Sequence, residues 1–186
     1  EPEMSLSIDL NCDMGESFGL YQLGNDEEMM QYITSANIAC GYHGGDPHVM
    51  RKTVALARKY EVAIGAHPAF PDLLGFGRRY MTCTAQEIKD YITYQTGALK
   101  EFVKQEGLKL QHCKPHGALY MTAMEDKEIA RAILETVHEI DPDMIVFAMN
   151  NSEVIEEGIK MGDRVAQEVY SDREHTEPGS LILTRK

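Results

Sequence analysis

The chain has 186 residues, 30 acidic against 18 basic side chains and a formal net charge of −12, with 43% hydrophobic and 26% charged residues. That is the length of one globular domain on the rough guide of ~100–200 residues per domain, and its acidic excess argues against nucleic-acid or anionic-membrane partners, which need clustered Lys and Arg. Its apolar runs stay far short of the ~20 residues that span a bilayer, and the absence of a leader-like opening reads as cytoplasmic.

In chain order, Leu6, Ile8 and Leu10 alternate with Ser5, Ser7, Asp9 and Asn11, which predicts a first strand running into residues 9–16. Residues 27–34 predict a short helix, and 36–40 a second strand. Asp46-Pro47 reads as an N-cap with Pro at the first helical position, and Met50, Val54 and Ala57 give that helix one apolar face. A third strand is expected over 62–66. Thr84 to Glu87 is a capping box, followed at helical spacing by Ile88, Tyr91, Ile92, Leu99, Phe102 and Val103. A fourth strand over 108–113 precedes a helix capped by Asp126, with Ile129, Ala130, Ile133, Leu134 and Val137 as its stripe. Residues 144–148 predict a fifth strand, Asn151 or Ser152 starts a helix with Val154, Ile155 and Ile159 inward, and 165–169 predict a sixth strand.

Such alternation implies parallel strands with helices outside them. Six units without a dinucleotide fingerprint suggest a barrel-like sheet. A closed eight-unit barrel takes ~250 residues, so a single α/β domain forming an incomplete or unusual barrel is expected. Chemistry then belongs at the carboxyl ends of the strands. Five of the six predicted strands do finish in ionisable residues: Asp13 and Glu16; His43 and Asp46; His67; Lys114 and His116; Glu168, Asp172 and Arg173. The fifth finishes in Asn150-Asn151.

Each residue also has an ordinary reading. Asp46 is a preferred cap. Asp13 and Glu16 could be solvated loop carboxylates, and a single His at a strand end is more often structural than a ligand. His138 and His175 stay with that reading, the methionines and the helically spaced tyrosines go to the core, and the four cysteines (12, 40, 83 and 113), none in a C-x-x-C pair, read as reduced structural thiols. Gly75-Phe76-Gly77-Arg78-Arg79 is a loop whose two cations suit holding a carboxylate or covering a site. Convergence on one rim favours a hydrolytic or proton-transfer site built from Asp13, His43, His67, Lys114 and His116. A carboxylate or neutral imidazole takes a proton from water, and Lys114 stabilises an oxyanion. Asp with two or three His can alternatively hold a divalent metal that acidifies bound water. Neither a P-loop for ATP nor a G-x-S-x-G elbow is present.

The stretches DLNCDMGESFG (9–19), SANIACGYHGGDP (35–47), IGAHPAFPDLLGFGRR (64–79), KPHGALY (114–120) and RVAQEVYSDR (164–173) closely resemble the 5-oxoprolinase A-subunit family, also called the LamB/YcsF family. The resemblance implies a variant TIM barrel of the glycoside hydrolase/deacetylase kind, (β/α)7-type, and a chain that usually continues for some tens of residues with a final strand and a further His-Gly-Asp motif. It implies a cytoplasmic, ATP-dependent opening of 5-oxo-L-proline to L-glutamate together with two partner subunits. On that reading ATP is handled with the partners or at a non-Walker site. Phosphorylating the lactam oxygen creates a better leaving group, the rim carboxylates and His activate water at C5, and Lys114 or His116 steadies the developing charge. Arg78, Arg79 or Arg173 pairs with the substrate carboxylate, with Glu16, Asp46, Glu168 and Asp172 nearby.

Two other readings compete. Asp13, His67 and His116 resemble the Asp-His-His metal set of sugar deacetylases, which would make the chain a metal-dependent enzyme of carbohydrate metabolism acting on an N-acetyl sugar. Alternatively, the chain is a non-catalytic subunit that binds the lactam or scaffolds its partners.

Overall fold

A computed structural model describes residues 7–173. Six strands, β1 (Asn11–Met14), β2 (Ser35–Ala39), β3 (Ala63–His67), β4 (Leu110–Cys113), β5 (Ile145–Met149) and β6 (Val165–Glu168), alternate with helices. The helices are α1 (Asp26–Met29), α2 (Pro47–Lys59), α3 (Ala85–Gln105), α4 (Gly117–Glu125), α5 (Lys127–Ile140) and α6 (Glu153–Met161). All five strand pairs are parallel and the sheet order is β1-β2-β3-β4-β5-β6. Each unit therefore lays its strand beside the previous one and never doubles back. The result is a curled half-barrel, a TIM-like α/β fold. Among the described residues no helix is long and apolar enough to cross a membrane.

The local signals act as expected at most helix starts. The Asp46 carboxylate accepts from the His48 and Val49 amides. Thr84 and Glu87 close a reciprocal capping box, Asp126 accepts from Glu128 and Ile129, and Ser152 is the cap of α6. The sheet is buried on both faces, and the two faces differ in chemistry. Met14, Ala36, Ile38, Ile64, Ala66, Cys113, Val146 and Ala148 belong to the apolar core shared with Val54, Ile88, Ile92, Leu99, Ile133, Leu134 and Val137 of the helices. Burying each Leu or Ile there contributes roughly 1.5–3 kcal/mol. The alternate strand positions, Asn11, Asp13, Asn37, His67, His112, Lys114 and Glu168, turn to the barrel interior and bond to one another.

Several expectations are corrected. Strand pairing starts at Asn11, after the Leu6–Leu10 alternation; Ile8 and Leu10 are 88% and 52% exposed, so that stretch has strand parity but nothing packed over it. Leu6 and Ser5 lie outside the described residues, as does His175. The first helix is a single turn, Asp26–Met29, shorter than 27–34. Helix α4 has no counterpart among the predicted elements. It is apolar nearly all round, with Ala118, Leu119, Tyr120 and Ala123 buried, so no stripe marks it. Ile159 is 64% exposed, not inward. Its place is taken by Glu157, neutralised by three cations, and by Gly158, where a Cβ would stand 2.3 Å from Val165 Cγ1.

Candidate active site

Residues from five strands meet in one cluster. From β1, Asp13 Oδ1 stands 3.3 Å from His67 Nε2 of β3 and 3.5 Å from Lys114 Nζ, just beyond β4. Asn37 of β2 donates its amide to Asp13 Oδ1 (3.0 Å) and to Asn11 Oδ1 (2.8 Å). Lys114 also donates to Asn11 (3.1 Å) and lies 3.5 Å from Glu168 of β6. Beyond β2, His43 stacks on His116 with ring centroids 3.6 Å apart, and its Nε2 meets Glu16 at 2.9 Å. His67 Nδ1 donates to the Lys114 carbonyl (2.6 Å) and His116 Nε2 to the Phe76 carbonyl (2.8 Å). These bonds place a hydrogen on His67 Nδ1 and on His116 Nε2. The two remaining ring nitrogens then face each other at 3.0 Å. The strap that carries Phe76 is held by Asp72, which accepts from Gly75 and pairs with Arg79. Gly117 (φ 57°) lets α4 start against it, because a Cβ there would lie 2.5 Å from the Gly77 carbonyl.

Environment separates the groups. Burial works to raise the Asp13 carboxyl, but the His67 and Lys114 charges and the donors from His67 and Asn37 outweigh it and hold it well below the usual range. Burial works against charge on His67, yet Asp13 raises its pKa above the ordinary 6.5. Burial also opposes the Lys114 ammonium, and Asp13, Tyr170 and Glu168 overcome it, keeping the amine charged. His43 and His116 are pushed down by burial and by neighbouring His67, His116 to about 2, so both rings are neutral. Burial raises Glu16. The outcome is an ionised Asp13 beside the Lys114 cation, a His67 whose charged form Asp13 favours, and two neutral rings.

This cluster opens into a cavity of about 280 Å³. Asp13, His67 and His116 form one part of its wall; Lys114, Arg78 and Arg173 supply cations; Tyr80, Tyr120, Met121 and Tyr170 supply its apolar surface. Of the residues predicted for substrate, Arg78 and Arg173 reach the cavity. Glu168 sits behind it, accepting from Asn11, Tyr120 and Tyr170, and Glu16 is against the His pair. The structure does not bring the others in. Asp46 spends its oxygens on three backbone amides, of His48, Val49 and Gly19. Arg79 is taken up by Asp72, and Asp172 is exposed beside Arg173. Sequence reasoning missed Asn11, Asn37, Tyr120 and Tyr170. Tyr120, assigned to the core, lies one helical turn after His116, which would have placed it on the cavity had α4 been foreseen. Cys12, Cys40 and Cys113 are free thiols raised by burial, Cys12 to about 11 and Cys40 to about 12, so none is a nucleophile at neutral pH.

Donor atoms of Glu16, His43, His67 and His116 lie within 4.8 Å of one another. This differs from the predicted Asp13, His67, His116 set, in which Asp13 stands outside the converging group. The donor set fits a divalent ion. Both His67 and His116 give their outer N–H to a backbone carbonyl, the support that metal-ligating imidazoles usually have. His43 Nδ1 is buried with no hydrogen-bond partner among the described residues.

The sequence pattern of the LamB/YcsF family matches residues 8–186. The 5-oxoprolinase A-subunit of Pyrococcus horikoshii is 54% identical over 177 residues, 95% of this chain and 69% of that protein. Those of Alkaliphilus metalliredigens and Bacillus subtilis are 56% and 53% identical, each over 94% of this chain and 68% of their own. The crystal structure of a lactam utilization protein from Thermus thermophilus superposes with a TM-score of 0.93 at 45% identity, covering 96% of this chain and 72% of that one. The chain belongs to the LamB/YcsF family.

Proposed function

We propose that this chain is the lactam-opening subunit of a 5-oxoprolinase that converts 5-oxo-L-proline to L-glutamate, with ATP hydrolysed by the complex it forms with two partner subunits in the cytoplasm. The observation that carries the reading is the division of the cavity wall. Cations able to hold a carboxylate, Arg78 and Arg173, share it with an ionised Asp13 and with His67, whose charged form Asp13 favours. The volume falls below the roughly 300–1,000 Å³ of sites for drug-sized ligands, which suits a small five-membered ring. The relatives named as 5-oxoprolinase A-subunits and the lactam utilization protein support the same substrate class. Free thiols suit the reducing cytoplasm.

The chemistry follows from residue state. The substrate carboxylate pairs with Arg78 or Arg173. Water adds to C5 as Asp13 takes its proton, Lys114 steadies the charge growing on the C5 oxygen, and His116 Nδ1, 3.0 Å from His67 Nε2, orients the proton that His67 delivers. The C5–N bond breaks as His67 gives the Nε2 proton to the leaving nitrogen, and Asp13 later returns its proton. Amide resonance makes the lactam a poor electrophile. Phosphorylation of that oxygen by ATP removes that protection; C5–N cleavage then leaves an acyl phosphate, which a second water opens to glutamate and phosphate, and with no P-loop in this chain the partners would supply the phosphoryl transfer. Glutamate release measured with and without ATP and the partners tests this division: the full complex is required, and the chain alone opening the lactam at full rate with ATP contradicts it.

The converging donors of Glu16, His43, His67 and His116 favour a second reading, a metal-dependent deacetylase. A divalent ion bound by these residues would supply an acidified water. Asp13 would remain a proton acceptor beside it. Metal analysis of the purified protein separates the two readings: one tightly held zinc per chain favours the deacetylase, and a metal-free chain active in its complex favours the lactamase.

A further inference from the structure

His112 is a buried imidazole inside the barrel that lines neither the cavity nor the donor cluster. The fold makes room for it at some cost. Its ring stacks on Phe147 with centroids 4.0 Å apart, and it occupies the space left by Gly65, where a Cβ would stand 2.1 Å from Nε2. A strand interior gives up a side chain here to admit a ring.

What the ring does follows from its neighbour. His112 Nε2 lies 2.6 Å from Asn37 Oδ1. Both hydrogens of the Asn37 amide are already directed, to Asn11 Oδ1 and Asp13 Oδ1, which can only accept. A reversed amide would set its oxygen against those two acceptors. The oxygen therefore faces His112, and Nε2 carries the hydrogen. Burial keeps the ring neutral, its pKa depressed to about 3. Nδ1 is then bare, 3.1 Å from the Gln111 carboxamide, whose NH2 can meet it after a half-turn.

We infer that His112 is a positioning residue: by donating to Asn37 it fixes the amide that aims the Asp13 carboxylate and, through Asn11, the Lys114 ammonium. It touches no substrate atom and acts only through Asn37. Its expected effect on rate rests on the lactamase reading above; its hydrogen-bond role does not.

Two measurements test the inference. In the isolated full chain, imidazole nitrogen NMR is expected to show His112 as the Nε2–H tautomer at neutral pH; an Nδ1–H tautomer or a doubly protonated ring overturns the inference. In the complete complex, His112→Phe, which keeps a ring and removes the donor, is expected to lower kcat about 10–100-fold, the scale of a small misplacement. KM should stay within about two-fold, and His112→Gln, which keeps a donor, should recover most of the rate. Asn37→Leu cuts the same link from the other end and carries the test if His112→Phe does not fold. The double variant is expected to be no slower than the slower single one. Equal rates for the Phe and Gln variants, or additive losses, overturn the inference. A wild-type complex that opens no lactam defeats the functional reading instead, and the NMR result alone then decides the role of His112.

Discussion

Asp13 and Glu157 are both carboxylates ringed by cations on the same scaffold, and they do different things. Glu157, on α6, is fully buried and saturated: Arg131 at 2.7 Å, Lys160 at 2.8 Å and Lys127 at 3.2 Å cover both of its oxygens. Asp13 has looser partners, His67 at 3.3 Å and Lys114 at 3.5 Å, and all its contacts fall on Oδ1. Its Oδ2 takes no hydrogen bond from the described residues, and its side chain is 37% exposed toward the cavity. A count of charges would rank the two alike. What separates them is unused bonding capacity facing open space, which makes one carboxylate a fastening and the other available to a substrate.

The comparison breaks most visibly on substitution. Asp13→Asn is expected to cut kcat of the complex by about 10³-fold, within the range for loss of a general base, with little change in Tm. Glu157→Gln is expected to do the reverse, lowering Tm by a few degrees with kcat unchanged. An inactive but stable Glu157→Gln protein would erase the distinction.

Acid sharpens it next. His112 and His116 are held neutral with pKa values of about 3 and about 2, against 6.5 unfolded. Between those values the unfolded chain binds more protons, so stability falls as pH drops below 6.5. Each ring contributes about 1.4 kcal/mol per pH unit at most. His67 acts with the opposite sign: its raised pKa contributes stability present below 6.5 and lost as pH rises through the folded value. Urea unfolding between pH 7 and pH 4 should therefore show a loss that is shallower in His112→Gln. The same slope in both proteins would contradict the buried neutral ring.

The smallest effect belongs to a third carboxylate. Asp46→Ala removes the cap of α2 and should lower stability by about 1 kcal/mol, read by chemical denaturation, with kcat unchanged. A large loss of kcat would return Asp46 to the site.

Much of this was legible in the sequence. Caps announced their helices because each is a local side-chain-to-backbone bond: Asp46, Thr84, Asp126 and Ser152 are where their types predict. The rim cluster of Asp13, His67, Lys114 and His116 was legible because parallel alternation puts strand ends together. Asp46 and Arg79 were misplaced because the sequence cannot show that backbone amides or Asp72 already satisfy them. Asn37 and His112 lay inside strands whose apolar outer residues dominate the pattern, and their inward parity matters only once the sheet curls. Helix α4, apolar on all sides, gave no periodic signal, and with it went Tyr120.

Opening of a cyclic amide is assigned to the cavity walled by Asp13, His67, Lys114 and His116. Glutamate release from 5-oxoproline by the complex, with ATP and both partner subunits, tests it most directly when wild type is set against His116→Ala. Wild type is expected to release glutamate, and the variant to lose about 10²-fold or more. Release at the wild-type rate from His116→Ala would contradict it and leave the chain with no role beyond binding the lactam or holding its partners.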